Sequence, residues 1–223
     1  NMEDEISAVT KDTALVVEDA ANNGGMAQLQ PQSIPPAAKV PPPYKGEPIR
    51  ELKGDPKFIA SVGSALHEKY QKNLYIIADR LEKNPVDYDD WLAVAYIKKL
   101  FNNFTGTRDA WEYAKIVSPE NPIAYFNLGV LYGYELHNSA EAEKNFKSAV
   151  RLNSLSLEYQ TGLANFYVDV LKRPDEAEKV WLEALKKIPN NEINLFTQIG
   201  AFYRSQKNYA AALEYFEKAL NAA

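Results

Sequence analysis

The sequence contains no cysteine, which excludes a disulfide framework and thiol chemistry but leaves the compartment open. Histidine is nearly as scarce: His67 and His137 are the two present, too few for the clustered ligands of a zinc site. No apolar run approaches the roughly 20 residues that cross a bilayer, so no membrane span is expected. Basic charge is not in excess either, since 25 lysines and arginines stand against 30 acids, a net charge of −5. That balance argues against nucleic acid as a partner, because phosphate binding needs a concentrated basic surface. Motifs of phosphate and acyl chemistry are missing, with no G-x-x-x-x-G-K-[ST] and no G-x-S-x-G. Together these absences predict a protein that is not an enzyme and holds neither cofactor nor metal.

Proline, by contrast, is crowded: seven of the thirteen fall between Pro31 and Pro48. Proline fixes φ and removes a donor, so this stretch favours polyproline II over helix or central strand. Residues 1–55 therefore read as an extended or disordered leader, in which 6–20 is apolar enough for a short strand or helix. Pro41-Pro42-Pro43-Tyr44 matches the PPxY ligand of WW domains, although a plain spacer is the first expectation for such a segment. The chain opens Asn1-Met2, which leaves room for removed upstream sequence. Cytoplasm is the first expectation for its compartment, with an anchored or exported protein as the other.

From Pro56 onward the spacing turns helical. Phe58, Val62, Leu66, Tyr70, Leu74, Ala78 and Leu81 lie three or four apart, which predicts one long amphipathic helix ended by Asn84-Pro85. Beyond it no segment alternates as a strand does, so the folded part reads as all-α. A register runs through the helices. Trp111, Phe146, Trp181 and Phe216 are 35 residues apart, and Ala114, Ala149, Ala184 and Ala219 each follow by three. Such a period, with two helices per unit, predicts a helical solenoid.

The copies can be written out. One has Tyr125, Leu128-Gly129 and Tyr132, then Ala142, Phe146 and Ala149. The next has Gln160, Leu163-Ala164 and Tyr167, then Ala177, Trp181, Ala184 and Pro189. The last has Phe196, Ile199-Gly200 and Tyr203, then Ala212, Phe216 and Ala219. A more divergent early copy has Leu92-Ala93 and Tyr96, then Thr107, Trp111, Ala114 and Pro119. This pattern resembles the tetratricopeptide repeat, W-x2-L-G-x2-Y followed by A-x3-F-x2-A and P. The departures are small: Gln160 replaces an aromatic, Ser154 stands where proline is usual, and the two middle copies carry one extra residue between helices.

The resemblance implies a right-handed superhelix of antiparallel helix pairs. Its units would be a partial repeat or N-terminal helix at 56–85 and repeats at 86–121, 122–156, 157–192 and 193–223. Small residues at Gly129, Gly200, Ala142, Ala177 and Ala212 would let helices approach, and the aromatics would fill the wedge between repeats. Asn121-Pro122, Asn138 and Asn208 are placed to start helices.

The resemblance also implies a concave face lined by the first helix of each repeat. Carried onto this chain, its positions include Asp90, Trp91 and Lys98 in the first repeat and Phe126, Asn127, Val130 and Tyr134 in the second. The third contributes Thr161, Asn165 and Asp169, and the fourth Asn194, Gln198 and Arg204. Amides among them could hydrogen-bond the backbone of an extended peptide, and the aromatics offer an apolar platform. Chaperone-binding relatives hold an acidic tail with several basic residues. Lys98 and Arg204 are the only basic candidates here, so acidic tails are not expected to bind. The expected function is a non-enzymatic scaffold with a peptide or protein partner. Two alternatives stay open: a homodimer built on the uncapped last helix or the N-terminal segment, and the half-a-tetratricopeptide class of RNA-processing scaffolds, which the stretch KVWLEALKKIPNN also resembles.

Overall fold

Polar caps set the length of each helix in this chain, and they fall on the same register as the aromatics. The computed structural model describes residues 41–188 and 190–222. Within them α1 spans Pro56–Val62, α2 Ser64–Lys83, α3 Tyr88–Leu100, α4 Phe104–Val117 and α5 Pro122–Val130. Then come α6 Ser139–Leu152, α7 Leu157–Asp169, α8 Pro174–Lys187, α9 Glu192–Ser205 and α10 Tyr209–Asn221. Helices α3/α4, α5/α6, α7/α8 and α9/α10 pack as pairs, and the second helix of each pair packs on the first of the next. Helix α2 packs on α3 in the same way. The described part is all-α.

Side chains of Asp87, Asn103, Asn121, Asn138, Ser156 and Asn208 accept from first-turn N–H groups, which satisfies donors the helix cannot. Pro122 follows Asn121 at the first helical position, where its missing N–H costs nothing. The next free donor there, Ala124 N–H, is met by the hydroxyl of Tyr88 from the preceding repeat at 3.2 Å. The turn inside each pair is closed by a residue with positive φ: Asn102, His137, Lys172 and Lys207, again 35 apart.

The extra residue of the middle copies has a visible place. In the outer repeats, Asn103 N–H reaches Lys98 O and Asn208 N–H reaches Tyr203 O. In the middle repeats the closing bonds span one residue more, from Asn138 to Tyr132 and from Arg173 to Tyr167. The second repeat absorbs its insertion by widening the end of α5 into a π-helix, Leu131–Glu135. The loop therefore keeps its register while the helix takes up the slack.

The stripe from Phe58 to Leu81 is not one helix. Gly63, at φ 84° and ψ 153°, breaks it into α1 and α2. Only glycine adopts that backbone at little cost, and helical spacing on both sides hid the break.

Trp111, Phe146 and Trp181 are 0%, 1% and 2% exposed, each seated between helix pairs. A Cβ added at Gly129 would lie 2.8 Å from the Phe146 ring, and one at Gly200 would lie 2.7 Å from Phe216. The glycines thus provide the space that the rings occupy. Phe216 is only partly buried, since no further helix covers the outer side of α10 among the described residues.

The leader was expected to end at 55, yet its described part packs on the helices. Tyr44 lies 4.7 Å from Trp91 and 5.4 Å from Tyr113, ring centre to ring centre. Glu47 N–H donates to Asp109 at 2.9 Å, and Tyr113 hydroxyl donates to Pro42 O at 2.8 Å. Leu52 is buried, and its N–H donates to Gln71 Oε1 at 2.9 Å. His67 is half-buried with Nε2 3.1 Å from Leu52 O. Arg50 bridges to Asp79 and Glu82 at 2.6 Å each. Tyr44, the tyrosine a WW domain would read, is thereby packed into the chain's own core. Residues 1–40, which hold the 6–20 segment and three of the seven crowded prolines, lie outside the described residues, as do Pro189 and Ala223.

Candidate partner-binding face

The thirteen expected positions separate by what the fold has already done with them. Asp90, Trp91 and Lys98 are buried at 7%, 2% and 0% exposure. Asp90 receives a forked contact from Arg80 of α2, with Nε 2.8 Å from Oδ2. Trp91 donates its indole N–H to Pro85 O at 2.9 Å. Lys98 donates to Glu47 Oε1 at 2.8 Å, Pro48 O at 3.0 Å and Glu51 O at 2.8 Å, which uses all three donors of the ammonium. In the first repeat, then, Trp91 and Lys98 meet the chain's own residues 44–51, and Asp90 meets Arg80. Spacing could not show this, because the contacts join residues about fifty apart along an aperiodic segment.

The second repeat is mixed. Phe126 is half-buried against Phe146 and Tyr159, at 5.7 and 5.0 Å, and Val130 packs against the core of the later repeats. Asn127 donates to the hydroxyl of Tyr96 at 2.7 Å, joining α5 to α3. Tyr134 is exposed and lies beside Asp169. Burial first, then that carboxylate, raises the pKa of its hydroxyl.

In the last two repeats Asp169 meets the Tyr134 hydroxyl, while the side chains of Asn165 and Gln198 have no hydrogen-bond partner among the described residues. Asn165 and Asp169 from α7 and Gln198 from α9 border one cavity of about 160 Å³. Its wall is completed by Val168, Trp181, Ala201, Phe202 and Ser205. These five were not among the expected positions. Helical spacing could have found three of them, since Val168 follows Asn165 by three, and Ala201 and Ser205 follow Gln198 by three and seven. Thr161 is half-buried, while Asn194 and Arg204 are exposed near the two ends of α9. Among the described residues no group of three metal-ligating side chains is clustered, and no helix is long and apolar enough to cross a membrane.

The family model described as "Tetratricopeptide repeat" matches residues 194–223, which hold α9 and α10. The crystal structure of MamA superposes with a TM-score of 0.57 at 17% identity, covering 71% of this chain and 91% of that one. The chain carries a tetratricopeptide repeat. A second solved structure, YrrB, "a TPR protein with an unusual peptide-binding site", gives a TM-score of 0.53 at 19% identity over 78% of this chain and 87% of that one. At those identities the likeness concerns the fold alone. In sequence, anaphase-promoting complex subunit 3 of Schizosaccharomyces pombe is 28% identical over 148 residues, 65% of this chain and 21% of that protein. The matched region thus spans about a fifth of that relative's length. Tetratricopeptide repeat proteins generally mediate protein–protein interaction and are typically not enzymes.

Proposed function

We propose that this tetratricopeptide array is a non-catalytic scaffold that binds an extended segment of a partner protein along α5, α7 and α9. The observation that carries this reading is the cavity between α7 and α9, where Asn165, Asp169 and Gln198 converge and neither amide side chain has a hydrogen-bond partner among the described residues. Free amides at fixed spacing on stacked helices are suited to backbone carbonyls and N–H groups of an extended chain. Rigid helices hold them in place, so little ordering cost falls on the protein side. The first repeat does not contribute, since Trp91 and Lys98 are already engaged.

Pools of nine-residue peptides titrated into the protein test the reading. Binding pools are expected, and Asn165→Ala combined with Gln198→Ala weakens them by about tenfold or more, from the loss of two hydrogen bonds. Pools ending in several acidic residues bind least. A double variant that binds as tightly as wild type contradicts the proposal.

A second reading has one observation behind it. Tyr209, Leu213 and Leu220 on α10 are 66%, 60% and 76% exposed, an apolar stripe at helical spacing. Self-association through that helix would cover it. Light scattering on wild type and Leu213→Glu/Leu220→Glu separates the readings: a monomer in both excludes a dimer on α10.

A further inference from the structure

The cavity between α7 and α9 has a chemical preference, which rests on the inner-face reading above and sharpens it. Its volume of about 160 Å³ lies well below the roughly 300–1,000 Å³ of small-molecule pockets. At about 30 Å³ per water it would hold about five solvent molecules, the scale of one long side chain. Val168, Ala201, Phe202 and the indole of Trp181 supply apolar wall, and Asn165, Asp169, Gln198 and Ser205 supply polar groups. Trp181 is 2% exposed, and its Nε1 has no hydrogen-bond partner among the described residues.

The charges decide between occupants. Asp169 belongs to no ion pair among the described residues, whereas Glu112, Glu143, Asp90 and Glu47 each hold a basic side chain. Among the described residues no lysine, arginine or histidine lines the cavity. Ser205 already donates its hydroxyl proton to Phe202 O at 2.7 Å, so its remaining capacity is to accept. The amide oxygens of Asn165 and Gln198 accept as well. An acidic side chain here would face a carboxylate with no compensating cation. A basic one would lay its methylenes along Val168, Ala201 and Phe202 and bring its donors to Asp169 and the amide oxygens. The chain uses the same chemistry internally at Lys98, whose stem is buried and whose ammonium meets one carboxylate and two carbonyls.

We infer that this cavity receives one lysine or arginine side chain of the extended partner. Positional-scanning pools of nine-residue peptides test it, with the central residue fixed as lysine, arginine, norleucine or glutamate. The site-specific report is the indole N–H resonance of Trp181, assigned with Trp181→Phe. Lysine and arginine pools shift that resonance and bind about tenfold tighter than norleucine, with glutamate weakest, and added salt narrows the gap. Asp169→Asn removes the preference for lysine over norleucine. Equal binding of lysine and norleucine pools to wild type, or a preference that survives Asp169→Asn, overturns the inference. Pools that shift other α7 and α9 resonances but leave Trp181 unmoved also overturn it, while the inner-face reading stands. If no pool shifts any resonance of α5, α7 or α9, the inner-face reading fails and this inference with it.

Discussion

Replacing Lys98 with alanine lowers the free energy of unfolding by about 3–5 kcal/mol, the usual loss when one partner of a buried ion pair is removed. Lys98 is fully buried, and the Glu47 side chain that faces it is 12% exposed. Without the ammonium, the Glu47 carboxylate and the carbonyls of Pro48 and Glu51 lose a shared donor. Asn103 Nδ2, 2.5 Å from Glu47 Oε1, remains but is neutral. Glu47→Gln costs less, because an amide oxygen still accepts from both Lys98 and Asn103. The strap of residues 44–52 can also open by itself, so the loss has a local signature. Amide exchange at Glu47 and Leu52, whose N–H groups are bonded to Asp109 and Gln71, accelerates in Lys98→Ala before the rest of the chain is affected. Urea unfolding measures the global effect. A midpoint and an exchange rate both unchanged would show that the strap does not depend on this lysine.

Trp181→Ala is expected to cost a similar amount, about 3–5 kcal/mol, the range for truncating a buried aromatic. Its ring lies 5.0 Å from Phe202 of the next repeat and closes the gap between α7, α8 and α9. Alanine would merge that gap with the neighbouring cavity. Trp181→Phe keeps most of the ring contact and removes an indole N–H that has no partner among the described residues, so its cost is smaller. Repeat arrays lose structure through their interfaces, so amide protection in α7, α8 and α9 falls further than in α3 and α4. Circular dichroism through a urea series checks the stability. An unchanged midpoint for Trp181→Ala would place the ring outside the packing.

How much of this was legible in the sequence follows from which interactions are periodic. The rings of Trp111, Phe146 and Trp181, the space left at Gly129 and Gly200, and the caps at Asn121, Asn138 and Asn208 all recur at fixed offsets, so one chain displays them several times over. Interactions made once leave no such trace. Gly63 interrupts a stripe whose apolar spacing continues undisturbed on both sides. The strap carries no helical or strand period, and its anchors are single side chains, Tyr44, Glu47 and Arg50, that meet α2, α3 and α4 across long separations. Lys98 and Trp91 sit at positions equivalent to Tyr134 and Asn127, so position alone placed them on the partner face; only three-dimensional proximity reveals the strap lying over them. The later repeats were easier to read, because among the described residues no segment outside the register covers Asn165, Asp169 or Gln198.

A two-dimensional NMR map of the protein with its tightest-binding nine-residue peptide tests the central claim most directly. The account predicts chemical-shift changes along α5, α7 and α9, concentrated around Asn165, Asp169 and Gln198, with the indole resonance of Trp91 unmoved beneath the strap. Changes centred on Trp91 and residues 44–51, with α7 and α9 silent, would contradict it.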